Sequence, residues 1–221
     1  MGPDEAAPPI VQVGRFGTRL GDPEALQQAR EAFSTRHLIR LPGFLDPDLL
    51  DHLRQALDHT NWVVRIHDAL TPPAIDLGVR DPAILGLLIF LLNDRALFDT
   101  MRTLTGARDI ECFWPAIYKM IPGEGHRDTW HDDVDGNRLV AMSINLGREP
   151  FEGGVLRVRR KREEEPIASI QNQGPGDALL FRVDEALEHC LTEVVGRVPK
   201  LTLVGWFQRS PAYTTLMRGA E

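Results

Sequence analysis

Short β-rich runs separated by glycine-containing turns fill the chain after Gly106, and this alternation restricts the possible folds more than any other feature of the sequence. Glycines such as Gly136, Gly147 and Gly174 mark the turns. Many short strands at regular spacing are typical of an antiparallel sandwich or a jelly roll. The pattern predicts strands at 110–120, 139–146, 155–158, 167–170, 178–183, 187–195 and 201–207.

The residues before Gly106 have mainly helical patterns. Apolar residues recur at helical spacing after Asp46-Pro47, a pair that favours the start of a helix. Further helices are predicted at 23–33, 82–92 and 94–104, the last one capped by Asn93, and short strands at 38–41 and 62–67. We expect a single α+β domain over 1–221, in which mainly helical residues 1–106 support a β core at 107–210 and a tail follows at 211–221.

Composition and charge exclude several classes of protein. Two cysteines are too few for a disulfide scaffold or a four-cysteine zinc ribbon. The formal net charge of −7 disfavours nucleic-acid binding, which depends on neutralising phosphates. The longest apolar run, residues 84–92, is too short to span a membrane, and the N-terminus has no signal-peptide pattern. We therefore expect a cytoplasmic protein with neither a nucleic acid nor a membrane as a partner.

His131 and Asp133 are the first candidates for metal ligands. Residues i and i+2 of a strand project from the same face, so both side chains can bind one ion while Asp132 points away. His189, far downstream in another predicted strand, supplies a second imidazole. Two histidines and one carboxylate on one side of an octahedron leave positions open, which suits non-haem Fe(II). Such spacing also arises by chance, so other signals must agree with it.

Lys200 and Thr202 provide a second signal. Lys200 opens an alternating run in which it shares one strand face with Thr202, Val204 and Trp206. A buried ammonium needs an anionic partner, and a dicarboxylate held at one end by Lys200 and at the other by a metal meets that need. The alternative is that Lys200 extends into solvent at the strand end. Arg197 is a rival cation, but it lies off the inward face in a predicted turn.

Residues 118–207 resemble the catalytic core of the Fe(II)/2-oxoglutarate-dependent dioxygenases, most closely the prolyl-hydroxylase-like branch. The resemblance depends on several motifs in one order: Pro122-Gly123, His131-Asp132-Asp133, Gly153-Gly154-Val155-Leu156-Arg157-Val158, Gly176-Asp177-Ala178-Leu179-Leu180-Phe181, His189, and the run from Lys200 to Trp206. It implies a double-stranded β-helix, the cupin-like jelly roll, as the core, with the N-terminal helices as its support.

The resemblance also implies the cofactors. Fe(II) would be the metal, and 2-oxoglutarate and O2 would be cosubstrates. By position, His131, Asp133 and His189 resemble the family's iron ligands. An aspartate as the third ligand favours hydroxylation of an unactivated C–H bond, with release of succinate and CO2, over halogenation.

Further positions resemble the family's cosubstrate site. Lys200 stands where the family keeps the basic residue for the distal carboxylate of 2-oxoglutarate, and Thr202 matches the hydroxyl that often accompanies it. Asn145 falls where a polar residue often lies near the cosubstrate. Ile121 departs from the pattern, because close prolyl hydroxylases often carry a tyrosine there.

The substrate is predicted only as a class, namely an amino acid, a peptide or a natural product. Arg138, Tyr118, Trp130 and Trp206 are the candidate substrate contacts. Arg138 is the first choice, because a guanidinium can bind a carboxylate or a peptide carbonyl. Two alternatives remain open at this point: a cupin-type metal enzyme that uses no 2-oxo acid, and a non-enzymatic jelly-roll binding protein. No oligomeric state is predicted.

Overall fold

The structure is a computed structural model that describes residues 8–67, 73–125 and 127–210. The helices in these ranges are α1 (Pro23–Arg36), α2 (Pro47–Asp58), α3 (Pro82–Leu92) and α4 (Arg95–Thr105). The strands are β1 (Val11–Gly14), β2 (Gly17–Leu20), β3 (Leu38–Leu41), β4 (Trp62–His67), β5 (Ala74–Val79), β6 (Cys112–Met120), β7 (Asp128–His131), β8 (Arg138–Asn145), β9 (Glu152–Gly153), β10 (Leu156–Arg160), β11 (Ala168–Ile170), β12 (Ala178–Arg182), β13 (Leu187–Leu191), β14 (Val194–Val195) and β15 (Lys200–Gln208).

An aspartate starts every helix in the described ranges. The carboxylates of Asp22, Asp46, Asp81 and Asp94 accept hydrogen bonds from backbone N–H groups of the first turn. The prediction that Asn93 caps the helix at 94–104 was wrong. The Asn93 side chain instead donates to the Ile89 carbonyl at 2.7 Å and ends α3, so that Asp94 is left to cap α4.

Two antiparallel sheets face each other and form the core of the domain. The larger sheet has the order β3-β12-β8-β15-β6-β5-β4, and the smaller one has the order β11-β10-β13-β7. One apolar cluster, which includes Leu156, Leu179 and Phe181, lies between the sheets. A larger cluster lies between the seven-stranded sheet and the helices. The α+β jelly-roll prediction, with N-terminal helices as support, is confirmed.

Strand register places two rows of mainly polar residues across the inner face of the seven-stranded sheet. One row crosses β4, β5, β6 and β15 through Arg65, Asp76, Met120 and Lys200. The next row crosses β5, β6, β15 and β8 through Gly78, Tyr118, Thr202 and Asn145. Facing residues of paired strands lie within contact distance of each other. The rows therefore bring together residues that are far apart in the sequence.

The N-terminal segment contains structure that the sequence patterns did not predict. β1 and β2 form a hairpin, and Val13 of β1 exchanges backbone hydrogen bonds with Phe44 and Asp46 at 2.7 and 2.9 Å. β5 was also not predicted. The tail predicted at 211–221 lies outside the described residues. Across the part of the chain that the structure covers, none of the helices has the length and apolar character needed to cross a membrane.

Candidate metal and cosubstrate site

Paired strands bring the two distant histidines together. His131 ends β7, and the antiparallel register places it opposite His189 of β13. The two imidazole rings lie 4.2 Å apart between their centroids. The register shifts between His189 and Leu191, so that Asp128 faces the same side as His131 although three positions separate them.

Asp133 reaches the histidines in a way that differs from the prediction. We predicted that His131 and Asp133 share a strand face, but β7 ends at His131 and Asp133 has a left-handed backbone with φ of 59°. Aspartate is one of the few residue types that adopts this region readily. The turn directs the carboxylate back, with Oδ1 at 3.4 Å from His131 Nε2 and Oδ2 at 3.6 Å from His189 Nε2.

Neighbouring groups fix the orientation of these side chains. His131 Nδ1 donates to the Thr129 carbonyl at 2.6 Å, which leaves Nε2 directed at Asp133. Trp206 Nε1 donates to Asp133 Oδ2 at 2.8 Å. The Arg138 guanidinium lies 3.9 Å above the Trp206 ring, and its Nη1 is 3.5 Å from Asp133 Oδ1. As expected, Asp132 points away, and it pairs with Lys161 at 2.6 Å.

The charges of His131, Asp133 and His189 balance one another. The hydrogen bond with Asp133 raises the pKa of His131 to about 9. Burial alone would raise the pKa of Asp133, but the hydrogen bond from His131 and the charge of His189 lower it to about 2. Burial lowers the pKa of His189 to about 4. One imidazolium, one carboxylate and one neutral imidazole therefore balance one another at neutral pH.

The three side chains line one wall of a cavity of about 240 Å³ between the two sheets. Lys200, Tyr118, Ser143 and Trp206 belong to its other wall, which is the inner face of the seven-stranded sheet. Apolar residues such as Phe181 and Leu191 complete the lining. Groups of opposite charge thus line one cavity.

Lys200 is buried, and Arg197 is exposed. The Lys200 ammonium donates to the Gly154 carbonyl at 3.3 Å and lies 5.6 Å from the Phe151 ring centroid. Burial lowers the pKa of Lys200 to about 8, although the negative charge of Asp128 acts in the opposite direction. A charged amine that is enclosed in this way, without a hydrogen-bonded carboxylate among the described residues, favours binding of an anion.

Thr202 and Asn145 are buried beside the cavity but do not line it. The Thr202 hydroxyl donates to the Ile144 carbonyl at 3.1 Å and lies 2.9 Å from the Ser143 hydroxyl, which does line the cavity. The Asn145 side-chain oxygen accepts from the Gly147 N–H at 2.9 Å. The proposed contacts of these two residues with a cosubstrate remain predictions.

The predicted substrate contacts fall into two groups. Tyr118 and Trp206 line the cavity. Arg138 lies behind Trp206, with its guanidinium near Asp133 and Asp135, and Trp130 lies outside the cavity beneath the guanidinium of Arg159. The cavity therefore contains only part of the set that the sequence suggested.

Sequence patterns missed one charged residue of the cavity wall. Arg65 of β4 lines the cavity, and its guanidinium lies 3.9 Å from the Tyr118 ring centroid. Its position depends on pairing through β5 to β6, and β5 was not predicted. The alternation within 62–67 was the only local signal that Arg65 lies on an inner face.

The donor set suits a divalent iron ion. One atom from each of His131, Asp133 and His189 lies within 4.8 Å of the others. Two imidazoles and a carboxylate arranged on one face leave positions for further ligands, which is the arrangement of non-haem Fe(II) oxygenases. The buried Lys200 ammonium lies in the same cavity.

Comparisons with known proteins agree with this geometry. The sequence profile of the 2OG-Fe(II) oxygenase superfamily matches residues 114–208. No curated protein sequence matches the chain.

Solved structures share the fold. An oxidoreductase of the 2OG-Fe(II) oxygenase family from Burkholderia pseudomallei is 14% identical with a TM-score of 0.69, covering 90% of this chain and 96% of its own. The epimerase SnoN, in complex with Fe3+, alpha ketoglutarate and nogalamycin RO, is 16% identical with a TM-score of 0.58, covering 83% of each chain. A Trichoplax adhaerens prolyl hydroxylase, in complex with a hypoxia-inducible-factor peptide fragment, is 15% identical with a TM-score of 0.58, covering 86% of this chain and 94% of its own.

The profile match contains the three converging side chains and Lys200, and the fold extends over most of the chain. Residues 114–208 therefore match the 2OG-Fe(II) oxygenase superfamily, whose members use Fe(II), 2-oxoglutarate and O2.

Proposed function

We propose that this enzyme hydroxylates an unactivated C–H bond of an amino-acid, peptide or natural-product substrate. His131, Asp133 and His189 would hold the iron, and Lys200 would bind the distal carboxylate of 2-oxoglutarate. A single observation carries the proposal: three ligating side chains converge within 4.8 Å in the same cavity that encloses the Lys200 ammonium.

Each of these residues has a definable task. His131 presents Nε2 because its Nδ1–H is held by the Thr129 carbonyl. Trp206 fixes the Asp133 carboxylate, and Lys200 holds an anion in a region from which Phe151 and Leu156 exclude water. When bound, iron with 2-oxoglutarate and O2 supplies the oxidising power, with succinate and CO2 as coproducts. Asp133 occupies the position that halogenases of this fold leave to a halide, which favours hydroxylation.

The substrate class is open between the small molecules and peptides named for similar structures. The Trichoplax adhaerens enzyme holds a peptide fragment, and SnoN holds nogalamycin RO. The cavity volume of about 240 Å³ supports a small substrate or a single side chain within the site. We include free amino acids for this reason.

Succinate release tests this function directly. Purified protein is supplied with Fe(II), 2-oxoglutarate and O2, and succinate is measured with and without candidate substrates. Wild-type protein should release succinate only when Fe(II) is present. His131→Ala and Asp133→Gly should lower the rate by at least about 1000-fold, because each removes one of three ligands. Glycine is chosen at 133 because it tolerates the left-handed backbone.

Asp132→Asn provides the matched control. It changes the adjacent carboxylate, keeps an oxygen that can accept from the Val134 N–H, and leaves the three converging side chains intact. This variant should retain most of the wild-type rate. Equal succinate release by wild-type protein and both ligand variants would refute the proposal.

A further inference from the structure

Three arginines around the cavity stack on aromatic rings with the same geometry, but their partners differ. The guanidinium carbons of Arg65, Arg138 and Arg159 each lie 3.9 Å from a ring centroid. Arg159 donates to Glu188 at 2.9 Å, and Arg138 lies 3.0 Å from Asp135 and 3.5 Å from Asp133. The Arg65 Nε forms an ion pair with Oδ1 of the buried Asp76 at 3.7 Å, which is beyond hydrogen-bond distance.

Arg65 also differs from the other two in its position. It is the one of the three that lines the cavity, with 34% of its side chain exposed. Its Nη1 is buried and has no hydrogen-bond partner among the described residues. A guanidinium has five N–H donors in a rigid fork, so Arg65 retains donors that a ligand in the cavity can use.

A glycine allows Arg65 to lie flat across the sheet. Gly78 stands between Arg65 and Tyr118, and a Cβ at this position would lie 3.0 Å from Arg65 Cδ and 3.8 Å from Tyr118 Cδ1. The Gly78 backbone is not in the left-handed region, so space rather than conformation accounts for the glycine. The sheet surface therefore holds the Arg65 side chain against Tyr118 before any ligand binds.

We infer that Arg65 binds a carboxylate group of the primary substrate. The inference rests on the proposed function, in which His131 binds the metal and Lys200 takes the distal carboxylate of 2-oxoglutarate, which leaves Arg65 as the remaining arginine or lysine that lines the described cavity. A single guanidinium, with Asp128 lining the same space, favours a monoanion over a doubly charged phosphate. An internal peptide residue other than Asp or Glu has no carboxylate to offer, so the substrate class is a small carboxylic acid such as a free amino acid.

The experiment compares free acids with their neutral derivatives. The enzyme is supplied with Fe(II), 2-oxoglutarate and O2, and succinate release is measured with each free L-amino acid and with the corresponding C-terminal amide. We expect at least one free acid to raise succinate release above the rate without amino acid, and its amide to do so at least tenfold less well. Equal stimulation by acid and amide, or stimulation by no acid, would overturn the inference.

Arg65→Gln identifies the residue responsible. It should lower kcat/KM for the stimulating acid by about 10- to 100-fold, mainly through KM, because a hydrogen-bonded charge pair is lost. The Kd for 2-oxoglutarate should not change; a loss of 2-oxoglutarate affinity would place Arg65 in the cosubstrate site instead. Gly78→Ala should act in the same direction with a smaller effect, because the added Cβ displaces Arg65.

Arg159→Gln is the matched control. It removes an arginine with the same ring stacking, but from outside the cavity, and should leave the KM for the acid within twofold of wild type. Failure of the inference is distinguishable from failure of the proposed function. Iron-dependent succinate release in the absence of amino acid tests the function, and the acid–amide comparison tests Arg65.

Discussion

The two ends of the cavity differ in how their charges are balanced. At the metal end, the Asp133 carboxylate lies between two imidazoles and accepts a hydrogen bond from Trp206. At the proposed cosubstrate end, the buried Lys200 ammonium donates only to a backbone carbonyl among the described residues. Of the two ends, only the metal end contains its own counter-charge.

This difference has an energetic consequence. A buried charge without a charged partner destabilises the folded state until a partner arrives, whereas the attraction within a buried pair offsets part of the cost of desolvation. The metal end is therefore assembled before metal binds, and the cosubstrate end gains stability when an anion binds. Removing the Lys200 charge should therefore raise the free energy of unfolding of the metal-free protein, whereas removing a member of the paired group at the metal end should lower it.

Lys200→Met should produce the largest effect on cosubstrate affinity. Methionine keeps much of the side-chain volume but removes the charge, so the distal carboxylate of 2-oxoglutarate would be buried without a cation. We expect the Kd for 2-oxoglutarate to rise by about 100-fold or more, which corresponds to roughly 3 kcal/mol. Calorimetric titration of the Mn(II)-loaded protein under anaerobic conditions measures this change. Lys119→Met serves as the control, because Lys119 projects from the opposite face of β6 towards Trp62.

The same variant should stabilise the metal-free protein. The pKa of Lys200 is lowered to about 8, so the charged form destabilises the folded state by an amount on the order of 3 kcal/mol at pH 7. Lys200→Met removes this destabilisation, and urea unfolding should show a higher free energy of unfolding than for wild type. An unchanged Kd for 2-oxoglutarate, or a destabilised apoprotein, would contradict the contrast between the two ends.

At the metal end, Trp206→Phe should lower metal affinity by about tenfold. The substitution removes the hydrogen bond to Asp133 Oδ2 but keeps an aromatic ring beneath Arg138. Groups that orient metal ligands contribute effects of about 10- to 100-fold, and the remaining contact with Arg138 favours the lower value. Competition with a fluorescent chelator gives the Kd for Mn(II). Trp114→Phe, opposite Trp206 on β6, should leave this Kd unchanged.

Raising the pH should weaken 2-oxoglutarate binding through Lys200. Below pH 8 the amine is charged in the free protein, and above pH 8 it must take up a proton when the anion binds. The apparent Kd should therefore rise by about fivefold between pH 8 and pH 9. Over the same pH range the Lys200 contribution to apoprotein stability should become less unfavourable, because the unfolded state then binds more protons than the folded state.

Lys200→Arg is the control, because its side chain stays charged. Its Kd for 2-oxoglutarate should change much less between pH 8 and pH 9 than that of wild type. A Kd that rises as steeply as that of wild type would rule out Lys200 as the titrating group.

Local patterns anticipated much of this site, and their failures have physical causes. Strand alternation placed Lys200 on the inward face, and the resemblance to the dioxygenases implied that His131 and His189 converge. The turn at Asp133 was missed because a strand reading of residues 131–133 ignores the left-handed region that aspartate tolerates. Arg65 was missed because its place at the cavity depends on pairing between distant strands, and this pairing is not encoded within one short run.

Thr202→Val should have the smallest effect, and it separates the charge at the cosubstrate end from the hydroxyl beside it. The Thr202 hydroxyl already donates to the Ile144 carbonyl and accepts from Ser143, so it has no proton left for a carboxylate. Valine preserves the shape and removes these bonds, and we expect the Kd for 2-oxoglutarate to rise by only about two- to threefold. Ser143→Ala is the matched comparison, because Ser143 lines the cavity and its hydroxyl is the other member of the hydrogen bond with Thr202. If Thr202→Val instead weakens binding as much as Lys200→Met, the hydroxyl contacts the cosubstrate directly, and the cosubstrate end does not depend on the Lys200 charge alone.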